Sequence, residues 1–262
     1  MTMTSESTAN ILATQRLSLS PIDLADQQRP TDEDAGYDLQ GRVNACLAVS
    51  LGETVGHKIG CTTPVMQKFL GIQSPCAGRV FARTVLREHG EVARSHYRRL
   101  GVECEIVVEI GEDIGPRPGA YTPQGLVAHI KAVMAGIEIV DDRYADYRAL
   151  GVHTLIADNF FNAGCVLGGP VTDWQALDLA ALGGHMRING IEVGRGTGAM
   201  VMGHPFNALA WLANLRSARG ESLTRGEFVF LGSLVETKWL DAGDEMAIEI
   251  ERLGKVSLNV TD

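Results

Sequence analysis

GVECEIVVEI, residues 101–110, sets the architecture expected of this chain, because it predicts a strand with two chemically different faces. The run is short, rich in β-branched residues and bounded by glycines, which is typical of a strand. Successive side chains of a strand point to opposite faces. One face therefore carries the apolar residues Cys104, Ile106, Val108 and Ile110. The other face carries Val107 and the three glutamates of the run.

Glu103 and Glu105 lie on that second face and are the first candidate ligands for a metal ion. Neighbours on one strand face are roughly 6.6 Å apart, so two carboxylates there repel each other unless a cation lies between them. An oxygen-only pair suits a hard cation such as Mg²⁺. The alternative is a solvated strand face of an antiparallel sheet. Glu109 is expected to be solvated or paired.

Glu138 is an acid among apolar neighbours in a second predicted strand, Ile137 to Asp141. If this strand lies beside the first, Glu138 supplies a third carboxylate. The alternative is that Glu138 belongs to the polar half of an alternating strand.

Lys58 lies inside another predicted strand, residues 54–60, between Gly56 and Gly60. A lysine in an apolar, glycine-lined setting has its charge destabilised or is held by a nearby anion. Glycines there let a ligand approach the backbone closely. An edge-strand lysine is the alternative.

Asp158 and Asn159 fall between apolar residues, so they are expected to be buried and to need partners. The alternative for Asp158 is that it caps a short helix.

Composition narrows the class of protein. The chain has 262 residues, of which 45% are hydrophobic and 21% charged, as in an ordinary soluble globular protein. Its net charge of −9 argues against nucleic acid or an anionic membrane as the main partner. No apolar run approaches the roughly 20 residues of a membrane helix. The absence of a secretory signal and five scattered cysteines without a CxxC pair indicate reduced thiols in a cytoplasmic protein.

Turn and helix-cap signals in the sequence predict how the chain is divided into domains, helices and strands. Residues 1–52 read as a helical cap, in which Thr31 caps a helix, and residues 53–262 read as a mixed-β catalytic domain, the two forming one compact unit. Further helices are predicted from Pro64 to Leu70, from Pro123 to Gly136 and after Pro205, with a loop over 71–79. Asn189-Gly190 predicts a hairpin turn, and four strands follow residue 226. Few regular helices between these strands indicate an α+β fold rather than a doubly wound one.

Eight motifs along the chain carry a family resemblance when taken in their order and spacing. Together they resemble the 2-keto-4-pentenoate hydratase/oxalocrotonate decarboxylase group of the fumarylacetoacetate hydrolase superfamily. The motifs are GHKIG 56–60, GVECE 101–105, GIEIVD 136–141, ADN 157–159, GTGA 196–199, GHPFN 203–207, AWLAN 210–214 and GS 232–233.

The resemblance implies a mixed β-roll or barrel with packed helices and a divalent metal, Mg²⁺ or Mn²⁺. It implies that Glu103, Glu105 and Glu138 hold this metal. Lys58 and Asp158 are then the predicted catalytic residues, and Gly60 and Ser233 are the predicted substrate-binding residues.

Small 2-keto or 2-hydroxydienoic acids are the substrates that this resemblance implies. The first interpretation is a hydratase that adds water to a 2-hydroxy-2,4-dienoate. The alternative is a decarboxylase of oxalocrotonate-like dicarboxylates, and the third is a catalytically silent binding subunit. A homo-oligomer is expected, alone or in complex with a neighbouring pathway enzyme.

One departure from the group concerns Cys76. Hydratases of the group tend to carry Pro-Asp-aromatic-Gly where this chain has Pro75-Cys76-Ala77-Gly78. The resemblance implies that the missing carboxylate is a candidate proton-transfer group. Its loss favours the decarboxylase alternative, because that branch also tends to lack the acid. Inert packing is the expected role of Cys76.

Overall fold

Seven α-helices lie within residues 5–262, the part of the chain that this computed structural model describes. Most are short and connect strands, whereas three have 13 residues or more. The helices are α1 (Ser5–Leu17), α2 (Glu33–Leu51), α3 (Pro64–Leu70), α4 (Pro123–Leu126), α5 (Tyr147–Leu150), α6 (Val152–Ala157) and α7 (Pro205–Ala218).

Thirteen strands of the described residues join in one mixed sheet. In chain order they are β1 (Thr54–Gly60), β2 (Cys76–Phe81), β3 (Val85–Arg87), β4 (His89–Ala93), β5 (Leu100–Ile110), β6 (Ile130–Asp141), β7 (Asn162–Leu167), β8 (Gly183–Ile188), β9 (Ile191–Thr197), β10 (Phe228–Ser233), β11 (Lys238–Trp239), β12 (Glu245–Ile250) and β13 (Gly254–Thr261).

The strand order explains the shape of the sheet. It runs β2-β1-β10-β5-β6-β7-β3-β4-β13-β12-β8-β9, with β11 paired to β5. Three pairs are parallel, namely β1 with β10, β3 with β7 and β4 with β13, and the other neighbouring strands of the described residues run antiparallel. Within residues 5–262 the order ends at β2 and β9, so the sheet forms a roll that does not close into a barrel. The α+β class with a mixed sheet is confirmed.

The pairing of β5 with β6 is the longest in the fold. The two strands run antiparallel from Leu100↔Asp141 to Ile110↔Ile130, and Glu103 lies directly opposite Glu138. Long β-branched runs on both strands favour this pairing, because such side chains pack well against cross-strand neighbours. The two predicted strands are therefore neighbours, which meets the condition under which Glu138 supplies a third carboxylate.

The two faces of β5 bury different clusters. Cys104, Ile106, Val108 and Ile110 enter the main hydrophobic core, which also contains residues of α1, α2 and α7. Val107 enters a smaller cluster on the opposite face, with Met134, Phe228 and Phe230 among its members. The glutamates of β5 share this second face, so the predicted alternation is confirmed.

The N-terminal helices share the main core with the sheet. Leu12 of α1 and Leu47 of α2 are fully buried in that core, and Gln40 of α2 donates hydrogen bonds to Ala77 O and Ile156 O. The cap of α2 is Asp32, whose side chain accepts from Ala35 N at 2.9 Å, so the prediction of Thr31 as the cap was wrong. Asp32 performs the same task one residue later. Residues 1–4 of the predicted cap lie outside the described residues.

Several local predictions are confirmed. Helix α3 has the predicted bounds, and Thr63 accepts a hydrogen bond from Met66 N at its start. Asn189 and Gly190 form the turn between β8 and β9, with φ angles of 52° and 79°. Such positive φ values at both central residues are what a type I′ turn requires.

The predicted helix from Pro123 to Gly136 was wrong. Helix α4 ends at Leu126, and β6 begins at Ile130. Val133 and Met134 pair with Val108 and Val107 of β5, so pairing with the central strand overrides the helical spacing of the apolar residues. The predicted loop over 71–79 was wrong in its last part, because β2 begins at Cys76 and pairs with β1. None of the helices between residues 5 and 262 is long and apolar enough to cross a membrane.

Candidate metal centre

Three glutamates come together at the middle of the β5–β6 ladder. Glu103 and Glu105 lie on the same face of β5, and Glu138 projects from β6 opposite Glu103. One carboxylate oxygen from each lies within 4.8 Å of the others. Glu105 and Glu138 are fully buried, whereas Glu103 is partly exposed. The sheet register thus converts a periodic sequence pattern into one compact carboxylate cluster.

Each glutamate is oriented by one hydrogen bond. Gly232 N donates to Glu105 Oε2 at 2.8 Å, and Asn162 Nδ2 donates to Glu138 Oε1 at 3.0 Å. The hydroxyl of Thr237 donates to Glu103 Oε1. Within residues 5–262, Glu105 Oε1 and Glu138 Oε2 are buried without a hydrogen-bond partner. Two orphaned acceptors at one point are costly unless a cation meets them.

Lys58 of β1 supplies the positive charge beside the cluster. Its side chain is 3% exposed, and its Nζ lies 3.3 Å from Glu138 Oε1. Nζ also donates to Phe160 O at 3.0 Å and lies 5.3 Å from the centre of the Phe160 ring. Lys58 is therefore a buried lysine held by an anion, and the edge-strand alternative is excluded.

The electrostatics of the cluster follow from burial and from repulsion between like charges. Burial opposes the charge of Lys58, but Glu138, Glu103 and Glu105 outweigh it and raise the pKa of the ammonium above its ordinary value. Burial, followed by the neighbouring carboxylates, raises the pKa of Glu105 well above its usual range. Burial also raises the pKa of Glu138 to about 7, although Lys58 opposes this shift.

These residues fit a divalent metal ion. The donor set consists of carboxylate oxygens only, which suits a hard cation, and two of those oxygens lack a partner. A bound divalent cation would also favour the charged form of Glu105 and Glu138, whose pKa values are raised by burial and by repulsion between the carboxylates. The three ligands that the resemblance implied are thus the three residues that the fold gathers.

Gly60 lies against Lys58 and leaves no room for a side chain. A Cβ at this position would be 3.1 Å from Lys58 Nζ and 3.0 Å from Cδ1 of Phe160. The glycine therefore keeps space open beside the ammonium. This placement is consistent with the predicted substrate contact, which stays a prediction.

Ser233 follows Gly232 on β10 and pairs with Glu105 in the ladder. Its hydroxyl makes contacts of 2.5 Å to Val235 O and 3.4 Å to Cys104 O. The serine lies across the ladder from Glu105, but its side chain is engaged in the turn after β10. Its predicted role in substrate binding stays a prediction.

Asp158 is fully buried in an ion-pair network beside the cluster. Its carboxylate accepts from Arg143 Nη2 at 2.7 Å and from Tyr144 Oη at 3.0 Å, and it lies 3.5 Å from Arg16 Nη1. Asp158 also follows the last residue of α6, so the helix-end alternative describes its backbone. The structure places its side chain with the arginines, and its predicted catalytic role stays a prediction.

Cys76 lies on β2, paired with Gly60 of β1. Its thiol is buried and contacts the thiol of Cys61, and this contact together with burial raises the pKa of Cys76 well above its ordinary value. A thiol with a raised pKa is a poor proton donor at neutral pH.

Glu109 was expected to be solvated or paired and not to join the cluster. Its Oε1 lies 2.6 Å from Lys131 Nζ, so Glu109 is paired.

Sequence reasoning missed the residues that orient the cluster. Asn162 and the Phe160 carbonyl come from the segment after α6, and Thr237 comes from the turn before β11. An asparagine at the end of the mixed polar and apolar stretch 154–162 was a weak signal for Asn162. A backbone carbonyl or a lone threonine leaves no such signal in the sequence.

Comparison with known proteins places this site in a family. The model of the fumarylacetoacetate (FAA) hydrolase C-terminal family matches residues 75–261. The chain is 31% identical over 241 residues to 2-keto-4-pentenoate hydratase 1 of Dechloromonas aromatica (strain RCB), covering 92% of this chain and 89% of the relative. It is also 31% identical over 209 residues to a 4-oxalocrotonate decarboxylase of a Pseudomonas species, covering 79% of this chain and 78% of the relative.

Solved structures agree with the sequence comparisons. The 4-oxalocrotonate decarboxylase of Pseudomonas putida G7, complexed with magnesium and adipate, superposes with a TM-score of 0.89 at 26% identity. The match covers 98% of this chain and 97% of that structure. The same decarboxylase with calcium and acetate gives a TM-score of 0.88. The chain therefore belongs to the fumarylacetoacetate hydrolase family.

Proposed function

We propose that this chain is a metal-dependent lyase that adds water to a 2-hydroxy-2,4-dienoate and yields a 4-hydroxy-2-oxo acid. The observation that carries the proposal is the cluster of Glu103, Glu105 and Glu138, with two orphaned buried oxygens and Lys58 3.3 Å from Glu138. The family relatives named 2-keto-4-pentenoate hydratase support the same reaction.

The three glutamates would hold the metal, which we propose to be Mg²⁺ or Mn²⁺. When bound, such an ion supplies Lewis-acid polarisation of the 2-oxo group of the substrate. Gly232 N, Asn162 and Thr237 each fix one carboxylate oxygen and leave another free to face the ion. Such outer hydrogen bonds orient ligands and keep the site ready for its ion.

Lys58 is the residue proposed to stabilise the negative charge that develops on the substrate. Protonation of the dienol at C5 and addition of water at C4 both pass through a state with negative charge on the oxygen at C2. A buried ammonium, fixed by Glu138 and the Phe160 carbonyl, stabilises that oxygen without reorganising solvent. Gly60 leaves the space beside the ammonium in which a substrate oxygen fits.

Asp158 and Ser233 are proposed to position groups rather than to bind the metal. Asp158 belongs to the arginine network that contacts the backbone on either side of Phe160, at Asp158 O and Phe161 O, and Ser233 borders Glu105 through the ladder. Their proposed task is to hold the substrate or the water that adds at C4. Positioned groups speed such an addition by fixing the reacting atoms close together.

A decarboxylase of oxalocrotonate-like 2-oxo dicarboxylates is the second candidate. The observation that favours it is Cys76, which stands where hydratases of the group tend to carry a carboxylic acid, and whose raised pKa makes its thiol a poor proton donor. The relative of Pseudomonas putida G7, which superposes over 98% of this chain, carries that activity in its name. In that reaction the same cluster and Lys58 would stabilise the enolate left when CO2 departs.

An ultraviolet assay of the purified full-length chain separates the candidates. It uses a monocarboxylic 2-hydroxydienoate and oxalocrotonate, each with and without Mg²⁺, and it measures loss of the dienoate band and release of CO2. The proposal expects Mg²⁺-dependent loss of the dienoate without CO2. Release of CO2 from oxalocrotonate alone supports the second candidate. No turnover of either acid, with the metal bound, supports the silent binding subunit.

We further propose a homo-oligomer, which size-exclusion chromatography with light scattering measures. A monomer at micromolar concentration contradicts it. Co-purification with a neighbouring pathway enzyme is the corresponding test for the proposed heterologous complex.

A further inference from the structure

The segment after α6 has an unusual backbone. Asn159, Phe160 and Phe161 have φ angles of 58°, 48° and 67°, so three consecutive residues other than glycine adopt the left-handed conformation. This conformation costs roughly 1–2 kcal/mol for an ordinary residue and less for asparagine. A strained run persists only where its surroundings hold it in place.

The same segment supplies two contacts to the candidate metal centre. Phe160 O accepts the hydrogen bond of Lys58 Nζ at 3.0 Å, and the Phe160 ring lies beside that ammonium. Two residues later, Asn162 Nδ2 donates to Glu138 Oε1 at 3.0 Å. The backbone path from 159 to 162 therefore fixes both the lysine and one carboxylate of the cluster.

The guanidinium of Arg143 contacts three acceptor atoms in and beside this segment. Its Nη2 donates to Asp158 Oδ2 at 2.7 Å and contacts Asp158 O at 3.3 Å, while its Nε donates to Asp158 Oδ2 at 3.1 Å. Its Nη1 contacts Phe161 O at 3.3 Å. Arg143 is 2% exposed, so these contacts are shielded from water. One guanidinium thus bridges the beginning and the end of the left-handed run.

Arg16 of α1 holds the next residue. Its Nη2 donates to Asn162 O at 2.9 Å, and its Nη1 lies 3.5 Å from Asp158 Oδ1. Two buried arginines around one buried aspartate form a larger charge assembly than stability alone requires, because desolvation offsets much of the gain of a buried pair. Their hydrogen bonds to backbone carbonyls point to a positioning task.

We propose that Arg143, with Asp158 and Arg16, is a positioning residue that holds residues 159–162 so that they orient Lys58 and Glu138. The proposal rests on the proposed function, because it assigns the network to the same centre. It adds a layer behind the metal ligands that links the N-terminal helix to the site. Neither arginine touches the reacting atoms in this account.

Arg143→Lys in the full-length chain is the central variant. Lysine keeps the positive charge for Asp158 but cannot reach Asp158 and Phe161 O together, because it lacks the planar fork. Arg216→Lys is the matched control, since Arg216 is also 2% exposed and its hydrogen bond in residues 5–262 goes to Glu221. Three quantities are measured in each variant: Mg²⁺ affinity by calorimetry without substrate, hydrogen exchange of residues 158–162, and the melting temperature.

We expect Arg143→Lys to weaken Mg²⁺ binding about 10-fold or more, the size of effect typical of outer-shell changes. Exchange should accelerate in residues 158–162. Arg216→Lys should lower the melting temperature while leaving Mg²⁺ affinity within about twofold. If Arg143→Lys does not fold, Arg16→Lys tests the same segment through Asn162 O.

Two results would overturn the inference. One is a folded Arg143→Lys protein whose Mg²⁺ affinity matches the unaltered chain, even if exchange accelerates, since the arginine would then be structural only. The other is an equal loss of affinity in Arg216→Lys. A different result, an unaltered chain that binds no Mg²⁺, would contradict the proposed function itself and the inference with it, whereas binding without turnover would contradict only the reaction.

Discussion

Lys58 Nζ lies 3.3 Å from Glu138 Oε1 in a fully buried setting, although the two residues are 80 positions apart in the chain. The pair is part of a larger imbalance, because Glu103 and Glu105 add two carboxylates and one ammonium cannot neutralise three acids. In the metal-free chain burial and mutual repulsion therefore favour protonated carboxyls and raise the pKa values of Glu105 and Glu138. A bound divalent cation would neutralise the carboxylates in place of those protons.

Replacing Glu105 with glutamine should abolish Mg²⁺ binding and Mg²⁺-dependent turnover without unfolding the protein. Glu105 Oε1 is one of the two buried oxygens without a partner in residues 5–262, and burial already favours the protonated, uncharged form of this carboxyl, which glutamine resembles. The metal-free variant should therefore melt at the same temperature as the unaltered chain or higher. Calorimetry and thermal unfolding measure both effects. Full activity with the metal still bound would refute the assignment of this ligand.

Lys58→Ala should lower turnover by about 10²–10³-fold, the range seen when one charge-stabilising donor is removed from an active site. Its effect on stability should be smaller in proportion, because Glu138 can take up a proton when its counterion is lost. Steady-state kinetics and urea unfolding give the comparison. Turnover equal to that of the unaltered chain would remove Lys58 from the mechanism.

Cys76→Ser should be mild, with turnover within about threefold of the unaltered chain. The Cys76 thiol is buried against Cys61 with its pKa raised, so it is protonated and inert at neutral pH. Kinetics with both candidate substrates test this. A loss of several orders of magnitude would show that the thiol transfers a proton. Cys76 would then perform the task that the resemblance implies for the aspartate of the hydratases.

The affinity for Mg²⁺ should rise with pH up to about 7. The pKa of Glu138 is raised to about 7, so below this pH the metal-free site holds a proton that the ion must displace. Affinity should fall by about tenfold per pH unit below 7 for each proton released. Calorimetry in buffers of different ionisation enthalpy counts the protons. An affinity that does not change between pH 5.5 and 7 would contradict the shift.

The raised pKa of Glu138 also determines whether the metal-free protein becomes more or less stable as the pH rises. Because the pKa of Glu138 is higher in the folded state than its ordinary value of 4.5, the folded state binds more protons between pH 4.5 and 7. Stability from this group is therefore lost as the pH rises through that window. Glu138→Gln is the control, since it should lack this part of the pH dependence.

Much of the site was predictable because its glutamates lie in local sequence patterns that indicate strands and the faces of those strands. The alternation along 101–110 placed Glu103 and Glu105 on one face, and the apolar neighbours of Glu138 indicated a buried strand, which the ladder confirms. What no single stretch contained was the pairing partner of each strand. The family resemblance supplied that step, since the motifs imply that the three acids meet.

The failures have physical causes. Apolar residues from Leu126 to Met134 fit a helical spacing, but residues 130–134 gain more by pairing with β5 in an eleven-residue ladder than by forming a helix. Asn162 and the Phe160 carbonyl were missed because the left-handed segment that presents them is held by side chains far from it in sequence, Arg143 being 18 residues from Phe161 and Arg16 being 146 residues from Asn162. Local propensity carries no information on such contacts.

A crystal of the protein soaked in Mn²⁺ and measured at the manganese absorption edge gives the decisive observation. We predict a single anomalous peak within coordination distance of Glu103, Glu105 and Glu138, with Lys58 beside it. A density map without a peak there, and with these side chains turned toward solvent, would contradict the metal centre on which the proposed reaction depends.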